Sequence, residues 1–299
     1  MDALSEQRKG ELSLLITALL NGFLPIVVVL SYAAVPSLVS LFWSTLFATI
    51  FFLVVVNYRG RWKELRNALL WKYAFLIALI IGVVTYSLYF IALETTTPGN
   101  VAIIVLFEVF TSFLFFRVFK GERFSFDYAL GAILMVMGAI IVLGRDFSGM
   151  HLGDLLILVM CVFAPIGNFF QQKAREIASS ETIMFLRSAL SLPGIFLLTY
   201  FFGAHASARD VLAALPLLIL NGILLLGFSK LFWLEAIHRI SVTKGTALAS
   251  ISPLVTLALA WVMLSQTPTV WQIASLVPFI LGTLLLTDQV KWRPVRALQ

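Results

Sequence analysis

Residues 82–142, GVVTYSLYFIALETTTPGNVAIIVLFEVFTSFLFFRVFKGERFSFDYALGAILMVMGAIIV, return in outline 144 positions later, at residues 226–286, LGFSKLFWLEAIHRISVTKGTALASISPLVTLALAWVMLSQTPTVWQIASLVPFILGTLLL. Laid on one another without gaps, Ala92 meets Ala236, Gly138 meets Gly282, Gly131 meets Ser275 and, upstream, Trp43 meets Arg187. At an offset of 143, Gly10-Glu11-Leu12 falls on Gly153-Asp154-Leu155. Identities are few, and what repeats is the rhythm of apolar runs, small residues and turns. Outward from this pair the rhythm yields ten apolar runs, at 12–32, 35–56, 73–93, 98–119, 124–144, 152–172, 183–203, 211–237, 241–265 and 268–288. Most reach the ~20 residues that cross ~30 Å of hydrocarbon at a rise of ~1.5 Å each. Five is odd, so a second set of five enters the membrane from the opposite side, an inverted repeat of the kind common in secondary transporters. The expected fold is an all-α polytopic membrane protein with ten transmembrane helices as an inverted 5+5 repeat. Residues 1–146 form its first half and 147–299 its second.

Composition agrees with a membrane interior. The chain is 61% hydrophobic with only 12% charged residues, against roughly 45–50% apolar in soluble domains. Its mean hydropathy is +1.00. No small-residue cleavage site follows the first span, which therefore reads as a retained helix and not a signal peptide.

The net charge of +6 could suggest nucleic acid, but the positions of the charges refute it. Of 21 Lys and Arg residues, 17 fall on alternate connections: Arg8 and Lys9, five within 57–72, three within 117–123, Lys173 and Arg175, Arg239 and Lys244, and three beyond residue 290. The other set of connections holds Arg145 and Arg209. This asymmetry places both termini in the cytoplasm of a multi-pass inner- or plasma-membrane protein. The partners expected are a small-molecule substrate and membrane lipids, with no nucleic acid. The 57–72 connection should lie along the inner leaflet, with Trp62, Trp71 and Trp292 as an aromatic belt. A monomer and a homodimer both satisfy the sequence.

Cys161 is alone, and His151, His205 and His238 are scattered at span ends without ligand spacing. No HExxH, GxSxG or P-loop pattern occurs. No enzyme, metal or cofactor is therefore expected, and any pumping must draw on an ion or substrate gradient.

Attention falls on polar residues inside spans. A charge at a helix centre costs about 2.5–3.5 kcal/mol on insertion scales, so it seeks water, a ligand or a partner. Glu108 lies near the middle of span four and Lys230 about two-thirds along span eight. Two readings stand for this pair. They form a structural ion pair, with Lys230 alternatively snorkelling to the headgroups, or they line a central cavity. There Glu108 would hold a cation or exchange a proton, and Lys230 would face a carboxylate, which makes protons a candidate coupling ion. Asn168 and Gln172, at i, i+4 on span six, either join helices by hydrogen bonds or orient a polar ligand. Tyr86, Tyr89 and Trp233 are cavity candidates, since the repeat lays Tyr89 on Trp233, with core packing as the alternative. Arg187, a few residues into span seven, reads as an interfacial anchor. Pro25 and Pro165 lie in the first helix of each half and either gate the carrier or set packing shape. Gly131 and Gly138, with Ser275 and Gly282 as their counterparts, mark close-packing seams on spans five and ten.

The run Tyr89-Phe90-Ile91-Ala92-Leu93, then Thr95-Thr96-Thr97-Pro98-Gly99-Asn100-Val101-Ala102, Gly121-Glu122-Arg123, Gly131 and Gly138 resembles one half of an EamA-type transporter of the drug/metabolite transporter superfamily. The second half resembles it again in Trp233-Leu234-Glu235-Ala236-Ile237, Ile240-Ser241-Val242-Thr243, Thr246 through Leu254, and Gly282. The resemblance covers nearly the whole chain. It implies a cytoplasmic-membrane carrier, often an exporter of amino acids or related metabolites, with spans 1–4 and 6–9 around a cavity and 5 and 10 as outer supports. Three positions depart from the pattern. Gln266 replaces the second acidic turn residue, and Lys230 stands where an aromatic residue is expected. Val109 stands where the second half has Pro253, which argues against a helix break in span four. The function expected is export of a small amphipathic metabolite, an amino acid or derivative first, by alternating access. A proton-coupled cation or multidrug antiporter is the runner-up, ahead of a non-transporting sensor or an intramembrane enzyme.

Overall fold

The structure, a computed structural model, describes residues 2–120, 126–143, 151–239, 245, 249–286 and 290. The motif residues Gly121-Glu122-Arg123, Ile240–Thr243 and Thr246–Leu248, together with Arg145, Lys244 and Trp292, lie outside the described residues. Every regular element among the described residues is helical. Apolar spans have no water to satisfy backbone groups, and a helix closes those bonds within itself. In chain order the helices are α1 (Asp2–Ser31), α2 (Ser37–Tyr58), α3 (Ala68–Ala92), α4 (Pro98–Ile104, resuming as Phe107–Lys120) and α5 (Phe126–Leu143). The second set is α6 (Leu152–Arg175), α7 (Ser180–Phe201), α8 (Ala208–Arg239), α9 (Ser252–Leu264) and α10 (Val270–Leu286). Eight are long and apolar enough to cross a membrane, and α9 and α10 are apolar helices of 13 and 17 described residues. The all-helical, ten-span architecture stands.

Local chemistry sets the helix starts. Asn67 caps α3 by accepting from Leu69 N, Thr97 caps α4 ahead of Pro98, and Ser207 with Asp210 closes a reciprocal capping box on α8. Gly60 and Gly203, at φ of +63° and +62°, let the chain leave α2 and α7 through a left-handed residue. The 57–72 connection folds into a short exposed 3₁₀ turn, Arg61–Arg66. Trp62 within it and Trp71 beyond it are each 43% exposed, with their N–H groups bonded to Asn57 and Leu65, which suits a headgroup level. Bulky apolar side chains cover the outside, Val262 and Val270 at 79% exposure and Phe201 at 76%. Lipid tolerates such a surface and water does not.

The expectation of an unbroken span four is corrected. The α-helix stops at Ile104 and resumes at Phe107 without any proline. Leu106, Glu108 and Val109 donate their N–H groups three residues back, to Ile103, Val105 and Leu106. That tightening frees the Ile104 carbonyl, which accepts from Cys161 Sγ at 3.6 Å. A neighbouring helix thus makes good the broken bond, as membrane helices require.

Both halves also carry a feature the sequence does not announce, a wide π-helical stretch in α3 (Ala78–Thr85) and in α8 (Leu220–Phe228). The repeat offset nearly superimposes the two; the first ends next to Tyr86 and the second two residues before Lys230, and both of those residues line a central cavity. Such turns are rare and frequently sit at functional positions. Pro25 and Pro165, by contrast, lie inside uninterrupted helices. Pro165 removes the donor that Cys161 O would have had, and Thr111 Oγ1 donates to that carbonyl at 2.5 Å instead.

Packing exchanges the first helices of the two halves. α6 packs against α3 and α4, while α1 packs against α8 and α9. α2 lies on α7, and α5 pairs with α10. The two expected seams are mates. A side chain at Gly131 would meet Gly282 O at 3.1 Å, and one at Gly282 would meet Gly131 O at 2.9 Å.

Candidate functional site

A cavity of about 190 Å³ lies between α1, α3, α4, α6, α7, α8 and α9, and no residue of α5 or α10 lines it. Its walls are largely apolar, with Leu24, Pro25, Val105, Leu106, Tyr86, Tyr89 and Trp233. Into them project a few polar groups, the usual makeup of a small-molecule site.

Glu108 enters from α4 just after the tight turn at 105–106. Asn168 Nδ2 donates to its Oε1 at 3.0 Å. Asn168 Oδ1 in turn accepts from Trp233 Nε1 at 3.3 Å and from Gln171 Nε2 at 3.5 Å. One amide on α6 therefore ties the α4 carboxylate to α8. Lys230 enters from α8 and donates to Asn21 Oδ1 on α1 at 2.8 Å, an oxygen that also accepts from Ser229 Oγ at 2.9 Å. Glu108 and Lys230 share the cavity yet form no ion pair with each other. Each is held by one hydrogen bond to a neutral amide, which carries no counter-charge.

Of the residues singled out in the sequence, the fold gathers Glu108, Lys230, Asn168, Tyr86, Tyr89, Trp233 and Pro25 around this cavity. It turns Gln172 away, with Nε2 donating to Ile237 O at 3.1 Å, and brings its neighbour Gln171 to the lining instead. Pro165 is buried in α6 while Ala164 faces the cavity. Arg187, read from sequence as an interfacial anchor, is 4% exposed and lines the cavity, its Cζ 5.5 Å from the Tyr86 ring centre. Asn21 was missed altogether, although a lone amide within an apolar run is the signal that would have found it.

The two ends of the cavity differ. On the face carrying the basic connections, α6 and α8 are joined across three positions: Asn168 to Trp233, Gln172 to Ile237, and Arg175 to Glu235. Arg175 Nη2 lies 2.8 Å from Glu235 Oε1, Ser180 Oγ donates to the same oxygen, and Arg239 Nη2 lies 3.2 Å from Oε2. Close by, Glu181 accepts from Arg59, and Glu64 accepts from Ser179 N and Oγ at 2.9 and 2.8 Å. Burial alone would raise the Glu64 carboxyl. The Ser179 and Thr182 bonds and the Arg61 charge outweigh it and hold Glu64 below the usual glutamate range. The opposite face instead holds a polar vestibule of about 420 Å³. Thr96 Oγ1 donates to Asp154 there, and Gln272 Nε2 donates to Asn100 Oδ1 at 2.7 Å. α4 and α9 line both spaces.

The arrangement is that of a small, charged compartment between packed helix groups, polar-latched at one end. A crystal structure of a protein superposes with a TM-score of 0.70 at 17% identity, covering 96% of this chain and 100% of that one, which shows the shared fold. The uncharacterized transporter YoaV of Bacillus subtilis (strain 168) is 23% identical over 218 residues, 69% of this chain and 68% of its own. The EamA-like transporter family matches twice, over residues 8–144 and 151–288. The chain is a multi-pass membrane protein that belongs to the EamA-like transporter family.

Proposed function

We propose that the protein is a secondary carrier that exports a small amphipathic metabolite, an amino acid or derivative first, across the cytoplasmic membrane by alternating access. The observation that supports this most is the central cavity. It presents a carboxylate and an ammonium that make no direct ion pair with each other, set among aromatic and aliphatic walls. Charges so placed in apolar spans carry an insertion cost that a transported ligand can offset. The repeats 1–146 and 147–299 supply the helices, and both termini face the cytoplasm, consistent with the basic connections. The moving bodies are best taken from packing: α3, α4 and α6 on one side, α1, α8 and α9 on the other. Rocking them apart at the α6–α8 rungs opens the basic face, and closing them around α4 and α9 seals the vestibule.

A proton-coupled cation antiporter has one observation in its favour, that Glu108 is a buried carboxylate with a single neutral amide partner. Proteoliposome counterflow with amino acids, polyamines, nucleosides and cationic drugs decides between the two. Accumulation of carboxylate-bearing solutes supports the first reading, and accumulation of lipophilic cations against a proton gradient supports the second. Absence of flux for every solute sinks both.

A further inference from the structure

Arg187 lies two turns into α7 and is 4% exposed. Its guanidinium carries five N–H donors in a planar fork and no acceptor. The arginines of the ion-pair network on the basic face all have a carboxylate: the partly buried Arg175 and Arg239 share Glu235, and the exposed Arg59 and Arg61 share Glu181. Arg187 has none. Among the described residues no carboxylate pairs with its guanidinium and no carbonyl or hydroxyl accepts from it, and the one resolved contact of that group is the cation–π contact with Tyr86. Glu108, the carboxylate of the same cavity, is engaged by Asn168. Glu181, on Arg187's own helix, is engaged by the arginines of the 3₁₀ turn and its approach.

Burying a guanidinium without a counter-charge is costly, and a cation–π contact returns only a fraction of that cost. Arg187 lines the cavity, and its unpaired nitrogens are not among the fully enclosed polar atoms. Lys230 is held there by the neutral Asn21 amide, so two cations face one carboxylate. That positive surplus selects against a purely cationic cargo. The fork geometry matches a planar oxyanion in a way a lysine does not.

We propose that Arg187 is the anion receptor of the central cavity and takes the carboxylate of the cargo in a bidentate contact, with the Tyr86 ring holding the plane of the fork. This rests on the carrier reading and narrows it to carboxylate-bearing solutes. Amines without a carboxylate fall outside.

The test uses the purified full chain in detergent, with thermal unfolding as the readout. Three probes share one apolar body: N-acetyl-leucine, leucine and leucinamide. The wild type should be protected by the two that carry a carboxylate and not by the amide. Arg187→Gln should lose that protection at least tenfold in apparent affinity. Without ligand it should be no less stable than the wild type, because an uncompensated buried charge has been removed. The proposal stands only if all three results are obtained. Equal protection by leucinamide, protection retained in Arg187→Gln, or a ligand-free variant that unfolds earlier or fails to fold each overturns it. So does a wild type that no probe protects. Glu108-dependent flux in proteoliposomes with no carboxylate protection would leave the carrier reading intact and remove this one alone.

Discussion

Asn168 on α6 donates from Nδ2 to Glu108 Oε1 on α4 at 3.0 Å, and its carbonyl oxygen accepts from Trp233 Nε1 on α8 at 3.3 Å. One neutral side chain therefore connects the cavity carboxylate to the helix that carries Lys230. Any change in the protonation or occupancy of Glu108 alters a bond that also bears on the α6–α8 contact. Under the proposed carrier mechanism, a substrate or proton taken up at Glu108 would act on the α6–α8 contact through Asn168.

Glu108→Gln preserves shape while removing the charge and the exchangeable proton. A hydrogen bond to a charged group is worth ~1.5–3 kcal/mol, so flux should fall about ten- to a hundredfold. The remaining flux should be flat between pH 6 and 8. Lys230→Met should not rescue folding of the Glu108→Gln protein, since the two side chains do not pair. Full flux with an unaltered pH profile would remove Glu108 from the mechanism.

Topology can be read by cysteine labelling, because Cys161 is buried and contributes little background. Ala34→Cys or Thr97→Cys should react with a membrane-impermeant maleimide in intact cells, and Lys63→Cys should react only after permeabilisation. Reaction at position 63 in intact cells would invert the orientation proposed from the basic connections.

The Arg175–Glu235 pair closes the basic face while only partly buried, with side chains 19% and 28% exposed. Glu235→Ala leaves Arg175 and Arg239 facing each other without their shared carboxylate. The ends of α6 and α8 on the basic face should then separate more often. A cysteine at Gln171, nearly inaccessible in the parent, should label several-fold faster in inside-out vesicles. An unchanged labelling rate would show that the ion pair does not hold the gate.

Glu64 tests the pH dependence of the same face. Its folded-state pKa is lowered by bonds from Ser179 and Thr182 and by Arg61. The stability it contributes is therefore complete above its unfolded pKa of about 4.3 and is lost as pH falls through the lower folded value. Thermal unfolding followed from pH 7 down to pH 3 should show an acid-side decline that Glu64→Gln makes shallower. Parallel declines in both proteins would assign the acid sensitivity elsewhere.

Pro25 lines the cavity and Pro165 does not, so the two should part company on replacement. Pro25→Ala should slow flux severalfold at normal expression. Pro165→Ala restores a donor to Cys161 O, already satisfied by Thr111, and should change flux less than twofold. A similar loss in both would support matched gating helices in the two halves. If both changes only lower the yield of folded protein, the prolines belong to packing.

The ten spans, the doubled layout and the bias of basic residues were legible in the chain because each follows from local rules. Lipid demands about twenty apolar residues per crossing, an odd repeat inverts the second copy, and basic residues resist translocation. Glu108 and Lys230 were legible as site candidates for a similar reason, since a charge in an apolar run is conspicuous wherever the run ends up. What those charges touch was decided only by tertiary structure. Asn168 and Gln172 lie one turn apart on one helix. A modest rotation of α6 places the first on Glu108 and turns the second to Ile237 O. Arg187 and Asn21 gained their places because α7 and α1 pack beside helices of the other half, an exchange that no window of sequence records. The Ile104 carbonyl freed by the break at 105–106 finds its donor in the Cys161 thiol across the α4–α6 contact. Crossing a membrane is a property of each segment, whereas a binding site is a property of which segments become neighbours.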